Sequence, residues 1–552
     1  MRTLLISLNS KYVHSSLAVW YLKQSAAEFS DVTILEGTVN QPAEDIVSNI
    51  VRRKPDVLAF SCYIWNISFI RFLLPLIREA LPSVRIVLGG PEVSCNPKEI
   101  LTENPDVDFV ITGEGEVPFP LLLNALHQNA DVSDVPGLFF RDRGGIRCGP
   151  PAPPLSEPPS PYSKEYMDAL GGRIAYLETS RGCPFSCAFC LSGLSGREVR
   201  FFDMDRAKAN ILLLANSGCQ TVKLVDRTFN CNPKRAFELF DFIIQNAHSA
   251  IPAGVRFHFE VAADLFDEQT LRLLFAAPPG LIQLEAGLQS FNPDTLKAVV
   301  RKTDINKAEE NIRKIIYAGN IHLHADLIAG LPKEDLASFA SSFDRAFALR
   351  PHMLQLGFLK MLHGSDLRRR AQEMEYRYSQ KPPYEVKSNP WLSEGDMRLL
   401  RCAEYALNKL YNSGRFSLTL AYLLEASGIR PFGLFLGVGK TLLHIPLPER
   451  RSLDAFTRQA YGYFLTLPGV GQKKLRDALV CDRIACGQKI PDFLKVSDPD
   501  FKKSFNQIRR TFFEENGGEK INAAFLYAGA KRAVFAYGKK NPVTGRFPLR
   551  FT

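Results

Sequence analysis

Long apolar runs are missing from this sequence. A membrane-spanning helix needs ~18 or more uninterrupted apolar residues, and the nearest approach, Phe69 to Ile77, is cut by Arg71. The opening Met1 to Asn9 turns polar too soon for a secretory signal, so the expectation is a cytoplasmic protein with no membrane partner. Blocks of like charge are also missing. The net charge is +10 over 552 residues, but lysines and arginines are scattered, which leaves nucleic acid an open but unfavoured partner. No G-x-G-x-x-G follows the first apolar run, which weighs against a dinucleotide site. Among 11 cysteines there is no second C-x-x-C pair to complete an ordinary four-ligand zinc site. Internal repeats and low-complexity tracts are absent apart from one proline-rich stretch.

What is present is the composition of a globular protein, 46% apolar and 23% charged, long enough for several domains each with its own core. Residues 1–149 alternate branched apolar runs (Leu4 to Leu8, Val32 to Glu36, Val57 to Ser61, Ile86 to Leu88, Phe109 to Thr112) with helical patterns. That order predicts an α/β, doubly wound, Rossmann-like parallel sheet. Ligands of such sheets sit at the carboxyl ends of the strands. The candidate binding residues are therefore Asn9, Lys11 and Tyr12; Ser61, Tyr63 and Trp65; Gly89, Gly90, Pro91 and Glu92; and Gly113, Glu114, Gly115 and Glu116. Residues 150–171, dense in proline from Pro150 to Pro161, read as a stiff linker. Residues 172–370 repeat the strand–helix alternation six times, the pattern of a partial (β/α)6 barrel whose site lies at the strands' carboxyl ends. Residues 371–552 read as mainly helical, with Ser393 as an N-cap.

The most specific signal follows the first barrel strand: Cys183, Cys187 and Cys190, spaced C-x-x-x-C-x-x-C. From this cysteine content about 0.004 such triplets arise by chance, so coincidence is set aside. Three thiolates on one loop can hold three irons of a 4Fe-4S cluster, which usually takes four cysteines, leaving one iron open for chemistry. The thiolates themselves require a reducing compartment.

With Phe189 directly before its third cysteine, this triplet resembles the signature of the radical S-adenosylmethionine (SAM) enzymes. The loops Gly89-Gly90-Pro91 and Gly113-Glu114-Gly115-Glu116 resemble those of the cobalamin-binding domain that precedes the barrel in one large subgroup. The resemblance implies a 4Fe-4S cluster on Cys183, Cys187 and Cys190, with SAM contacts at Phe189, Asp226, Glu260, Gln289 and Ile328. It implies cobalamin at the loops of the first domain and a protein reductant such as flavodoxin or ferredoxin. It further implies a methyltransferase acting on an unactivated carbon of a small molecule or peptide, or a cyclase or rearrangement enzyme without methyl transfer. Where relatives that ligate cobalt carry D-x-H-x-x-G, this chain has Asn9, Lys11 and His14, so a histidine below the cobalt is not expected.

A tRNA-modifying methylthiotransferase would need three cluster cysteines in the first domain, for which Cys62, Cys95 and Cys148 are a poor set. A non-catalytic cobalamin or cluster sensor would need the barrel motifs to be relics. Two later motifs invite a ligand. Gly437-Val438-Gly439-Lys440-Thr441 lacks the first glycine of a phosphate loop. Leu467-Pro468-Gly469-Val470-Gly471, followed by Lys473, Lys474 and Arg476, resembles a helix-hairpin-helix turn; its structural alternative is a glycine turn before an ordinary basic helix.

Overall fold

The computed structural model describes all residues except 193–197, 496–505, 508–509, 513, 515–522, 527–531 and 552. They form two compact units. One comprises Met1–Leu265, Val299–Lys302 and Leu359–Lys387; the other comprises Phe266–Ala298, Thr303–Phe358 and Ser388–Thr552.

The first unit opens with β1 (Arg2–Asn9), β2 (Asp31–Thr38), β3 (Val57–Ser61), β4 (Arg85–Gly89) and β5 (Phe109–Ile111). They are parallel and ordered β2-β1-β3-β4-β5, with Leu4 beside Leu58 and Leu58 beside Ile86. These strands read as continuous apolar runs because both faces are covered: Leu4, Ile6, Leu58, Ile86 and Val110 are at most 1% exposed. The helix Ala43–Arg53 shows the matching pattern, burying Ala43, Ile46 and Ile50. Its Glu44 and Asp45 sit in the first turn and Arg52 and Arg53 in the last, each complementing the helix dipole. Strand order reverses between β1 and β3, so the loops after them flank a topological switch point.

An antiparallel edge was not legible. β6 (Leu138–Asp142) and β7 (Gly145–Cys148) form a hairpin that extends the sheet past β5. The proline-rich stretch from Pro150 to Pro161 carries no helix or strand, but the residues after it do. Ser163 caps a helix, Lys164–Leu170, whose Tyr166 and Leu170 are fully buried, with the Tyr166 ring edge-on to Trp20 at 5.5 Å.

The same unit holds the start of the second parallel pattern: β8 (Ala175–Leu177), then the antiparallel ribbon of β9 (Ser180–Gly182) with β10 (Val199–Phe201), then β11 (Thr221–Leu224) and β12 (Arg256–Val261). β8, β11 and β12 are parallel neighbours in that order. β11 ends earlier than its apolar pattern suggests, which releases Asp226 into the following loop.

The second unit carries three more parallel strands, β13 (Ile282–Gln289), β14 (His322–Ala329) and β15 (Met353–Phe358), joined through the helices Ile305–Ala318 and Leu336–Ala348. Helices Glu394–Leu410, Ser417–Ser427, Pro431–Leu443, Leu453–Phe464 and Gln472–Ala485 follow. The first starts on a capping box, Ser393 with Asp396. The mainly helical expectation omits an antiparallel three-stranded sheet (Ala523–Leu526, Arg532–Ala536, Leu549–Phe551), whose short strands carried too little alternation to be read.

Neither tempting motif forms a ligand loop. Gly437 to Thr441 lie inside the helix Pro431–Leu443, and a Cβ on Gly439 would fall 1.9 Å from the Cys402 carbonyl oxygen. That glycine lets two helices approach closely. In the Leu467 to Gly471 turn, the Gly471 amide donates to the Tyr422 hydroxyl at 2.7 Å, so it serves packing against the helix Ser417–Ser427.

Candidate functional site

The cysteine loop leaves the ribbon at Gly182 and returns to it at Val199. Cys183 and Cys187 are each 8% exposed, Cys190 and Phe189 are half-buried, and all three thiols are free of disulfides. The Cys190 amide donates to the Cys187 carbonyl at 3.0 Å, and Ala188 bonds to Val299 and Leu367 through its amide and carbonyl. Arg301 donates to Cys187 Sγ at 3.7 Å, and Thr228 Oγ1 lies 3.6 Å from Cys183 Sγ. Burial pushes the Cys187 thiol up, with Arg301 working against it.

Asp226 is buried just after β11, and both its oxygens are in use. Thr179 donates its amide at 3.0 Å and its hydroxyl at 2.7 Å, and Ser180 donates its hydroxyl. Asp226 therefore shapes the chain between β8 and the cysteine loop. Glu260, partly exposed at the end of β12, pairs with Lys223 at 3.6 Å. Gln289 and Ile328 belong to the second unit. Gln289 stands at a bulge at the end of β13, with φ of +69° and a buried Oε1 that has no hydrogen-bond partner among the described residues, while Ile328 is half-buried on β14.

At the carboxyl ends of the first sheet, Tyr12 is 74% and Trp65 47% exposed, and Trp65 stacks on Tyr63 at 4.4 Å with an interplanar angle of 6°. Lys11 is exposed beside Tyr12. Asn66, fully buried and absent from the expected set, donates to the Leu8 and Ser61 carbonyls and so ties together the ends of β1 and β3. Asn9 is itself committed, donating to His14 O and Glu36 Oε2, and Ser61 is buried with its hydroxyl toward Ile6 O. His14 contacts the Tyr176 hydroxyl at 2.7 Å, the role of a satisfied loop histidine. Gly90 needs to be glycine: φ is +108°, and a Cβ would meet the Cys62 carbonyl oxygen at 2.7 Å. Gly89 accepts from the Cys62 amide.

Three expected ligand contacts turn out to use their side chains inside the protein. Glu92, in the short helix begun by Pro91, accepts from the Tyr384 hydroxyl at 2.5 Å. Glu114 and Glu116, on either side of Gly115, pair with Arg181 at 3.2 and 2.6 Å, and Glu114 also pairs with Arg200. Burial pushes Glu114 up, but Arg200 and Arg181 outweigh it and hold its carboxyl below the usual range. What these loops leave open is backbone: the space a Cβ on Gly113 would occupy is empty to 4 Å. Arg181 had one legible sign, its place two residues before Cys183. Arg301 had none.

The residues fit the expected cofactors. No three His, Cys, Asp or Glu side chains among the described residues converge on a single-ion position. Thiols spread along one loop suit a cluster, whose irons occupy separate corners. Exposed aromatic faces beside a switch point suit a large planar ligand. The Gln289 Oε1, without a partner among the described residues, is an acceptor open to a donor.

Residues 177–346, the stretch that holds the cysteine loop, match the family model of the Radical SAM superfamily. Residues 3–123 match the family model of the B12 binding domain. Residues 372–445 match a protein of unknown function, DUF4080. The cobalamin-dependent radical SAM methyltransferase TokK of Streptomyces tokunonensis is 33% identical over 334 residues, covering 57% of this chain and 47% of that protein. The 2-(S-pantetheinyl)-carbapenam-3-carboxylate methyltransferase of Streptantibioticus cattleyicolor is 33% identical over 303 residues, 52% and 44% of the two chains. The chain thus spans about half the length of these relatives. In fold it is similar to OxsB, solved with aqua-cobalamin and S-adenosylmethionine bound, with a TM-score of 0.61 at 14% identity over 93% of this chain and 81% of that one. No helix among the described residues is long and apolar enough to cross a membrane.

Proposed function

We propose that this chain is a cobalamin-dependent radical SAM methyltransferase that acts on an unactivated carbon of a small molecule or peptide. The observation that carries the reading is the joining, within one compact unit, of the cysteine loop to the ligand-side loops of the B12-binding sheet through Arg181. Cys183, Cys187 and Cys190 would hold the cluster, with Arg301 and Thr228 beside two of the thiols. Phe189, Glu260, Gln289 and Ile328 would bind SAM, while Asp226 fixes the Thr179 and Ser180 approach to it. Lys11, Tyr12, Tyr63, Trp65 and the glycine loops at 89–91 and 113–115 would receive cobalamin. When bound, these groups supply a carbon radical and a transferable methyl group. The protein's part is to orient the reactants and exclude water. A flavodoxin or ferredoxin would deliver the electron, in a reducing cytoplasm. Nucleic acid is not favoured as a partner, since the Gly471 amide is already engaged.

Anaerobic reconstitution of the full chain with iron, sulfide, SAM, hydroxocobalamin and a strong reductant tests this. The expected outcome is 5'-deoxyadenosine together with S-adenosylhomocysteine, both abolished by Cys183→Ala. Deoxyadenosine alone would instead indicate rearrangement without methyl transfer, and intact SAM would refute a radical enzyme.

A further inference from the structure

Arg181 is surrounded by more negative charge than one cation balances. Its side chain is 12% exposed and meets Glu116 at 2.6 Å, Glu114 at 3.2 Å and Glu178 at 3.0 Å, these carboxylates being 7, 30 and 15% exposed. Its Nε also donates to both Glu178 oxygens at 3.1 Å, and Tyr21 lies under the guanidinium at 5.2 Å. With Arg200 on Glu114, two guanidinium groups face three carboxylates. Buried ion pairs of this kind are poor sources of net stability, because desolvation offsets the attraction. What they do well is fix geometry, since the planar fork of arginine accepts carboxylates only in set directions.

The geometry here joins two loops of different duty. Glu114 and Glu116 lie in the loop after β5, on the ligand side of the B12-binding sheet. Glu178 directly precedes Thr179 and Ser180, which hold Asp226, and Arg181 itself is two residues from Cys183. We propose that Arg181 is a positioning residue that couples the two cofactor sites energetically, so that a change on one side of the ion cluster is felt at the other. This rests on the two-cofactor reading above.

The test uses the full chain and two mild variants on opposite sides, Glu116→Gln and Arg181→Lys, with far-UV circular dichroism to confirm folding. Coupling is reciprocal and, between contacting residues, non-additive. Glu116→Gln, in the B12-binding domain, should shift the electron paramagnetic resonance spectrum of the reduced cluster measured with SAM. Arg181→Lys, on the cysteine strand, should weaken hydroxocobalamin binding about tenfold, and the double variant should be little worse than either single one. The inference is overturned if each variant alters only its own side, if the effects add, or if both lower the melting temperature while spectrum and affinity stay unchanged. Should Arg181→Lys not fold, Glu116→Gln alone decides through the cluster spectrum. Wild-type chain that takes up neither cofactor would overturn the two-cofactor reading itself, a result distinct from uncoupled variants of a loaded protein.

Discussion

Two buried guanidinium–carboxylate clusters, one in each unit, make different use of the same chemistry. Around Arg181 three carboxylates crowd one cation next to free thiols. In the C-terminal helices, Asp482 is 1% exposed and pairs with Arg546 at 2.7 Å while accepting from the Leu418 and Thr419 amides and the Thr419 hydroxyl. The second cluster is matched donor for acceptor and fastens the helix Gln472–Ala485 to the start of Ser417–Ser427. Charge is left uneven beside the free thiols and is evenly paired among the helices.

Breaking the matched cluster should have the largest effect on stability. Asp482→Ala takes from Arg546 its carboxylate partner and leaves the three other donors unmet, and denaturant unfolding should show a loss of about 3 to 5 kcal/mol. The cluster absorbance of the folded fraction should be unchanged; its parallel loss would erase the distinction between the two regions.

A buried acid with no cation beside it among the described residues gives the next effect. Glu334 accepts from Ser290 and Ser342 at 2.7 and 2.8 Å, its other oxygen has no partner among the described residues, and burial pushes it up to about 7, with the two hydroxyls opposing. Between pH 4.5 and about 7 the folded state keeps a proton that the unfolded chain has released, so stability falls as pH rises through that window and then levels off. The full drop is about 3 kcal/mol. Glu334→Gln keeps the acceptor and adds a neutral amide, and should remove the slope; a pH series of unfolding free energies that is unchanged in the variant would refute this. Smallest is Ser393→Ala, which deletes the hydroxyl of the capping box and should lower stability by about 1 kcal/mol, read as a small shift in the denaturation midpoint with no change in cofactor uptake.

Strand ends and their loops were legible because covered parallel strands leave continuous apolar runs, and because glycine, aromatic and acidic residues stand out between them. The cysteine triplet needed only its spacing. Side-chain commitments were not legible. Glu92, Glu114 and Glu116 look alike in the sequence, yet one accepts from Tyr384, 292 residues away, and the others face Arg181. Arg301 reaches Cys187 across 114 residues, a distance no local pattern encodes. Gly437 to Thr441 resembled a loop because its glycines, which serve close helix packing, have the same letters as those of a phosphate turn.

The bond from Tyr384 to Glu92 also bears on how the chain is made. The first unit is discontinuous, and its last segment, Leu359–Lys387, begins 94 residues after Leu265. During synthesis at ~5–20 residues per second, Glu92 therefore waits on the order of ten seconds for its partner after the bulk of its unit has left the ribosome. Over that interval Glu92, beside the Gly90-Pro91 turn at the carboxyl end of β4, lacks the hydroxyl it accepts from in the finished fold.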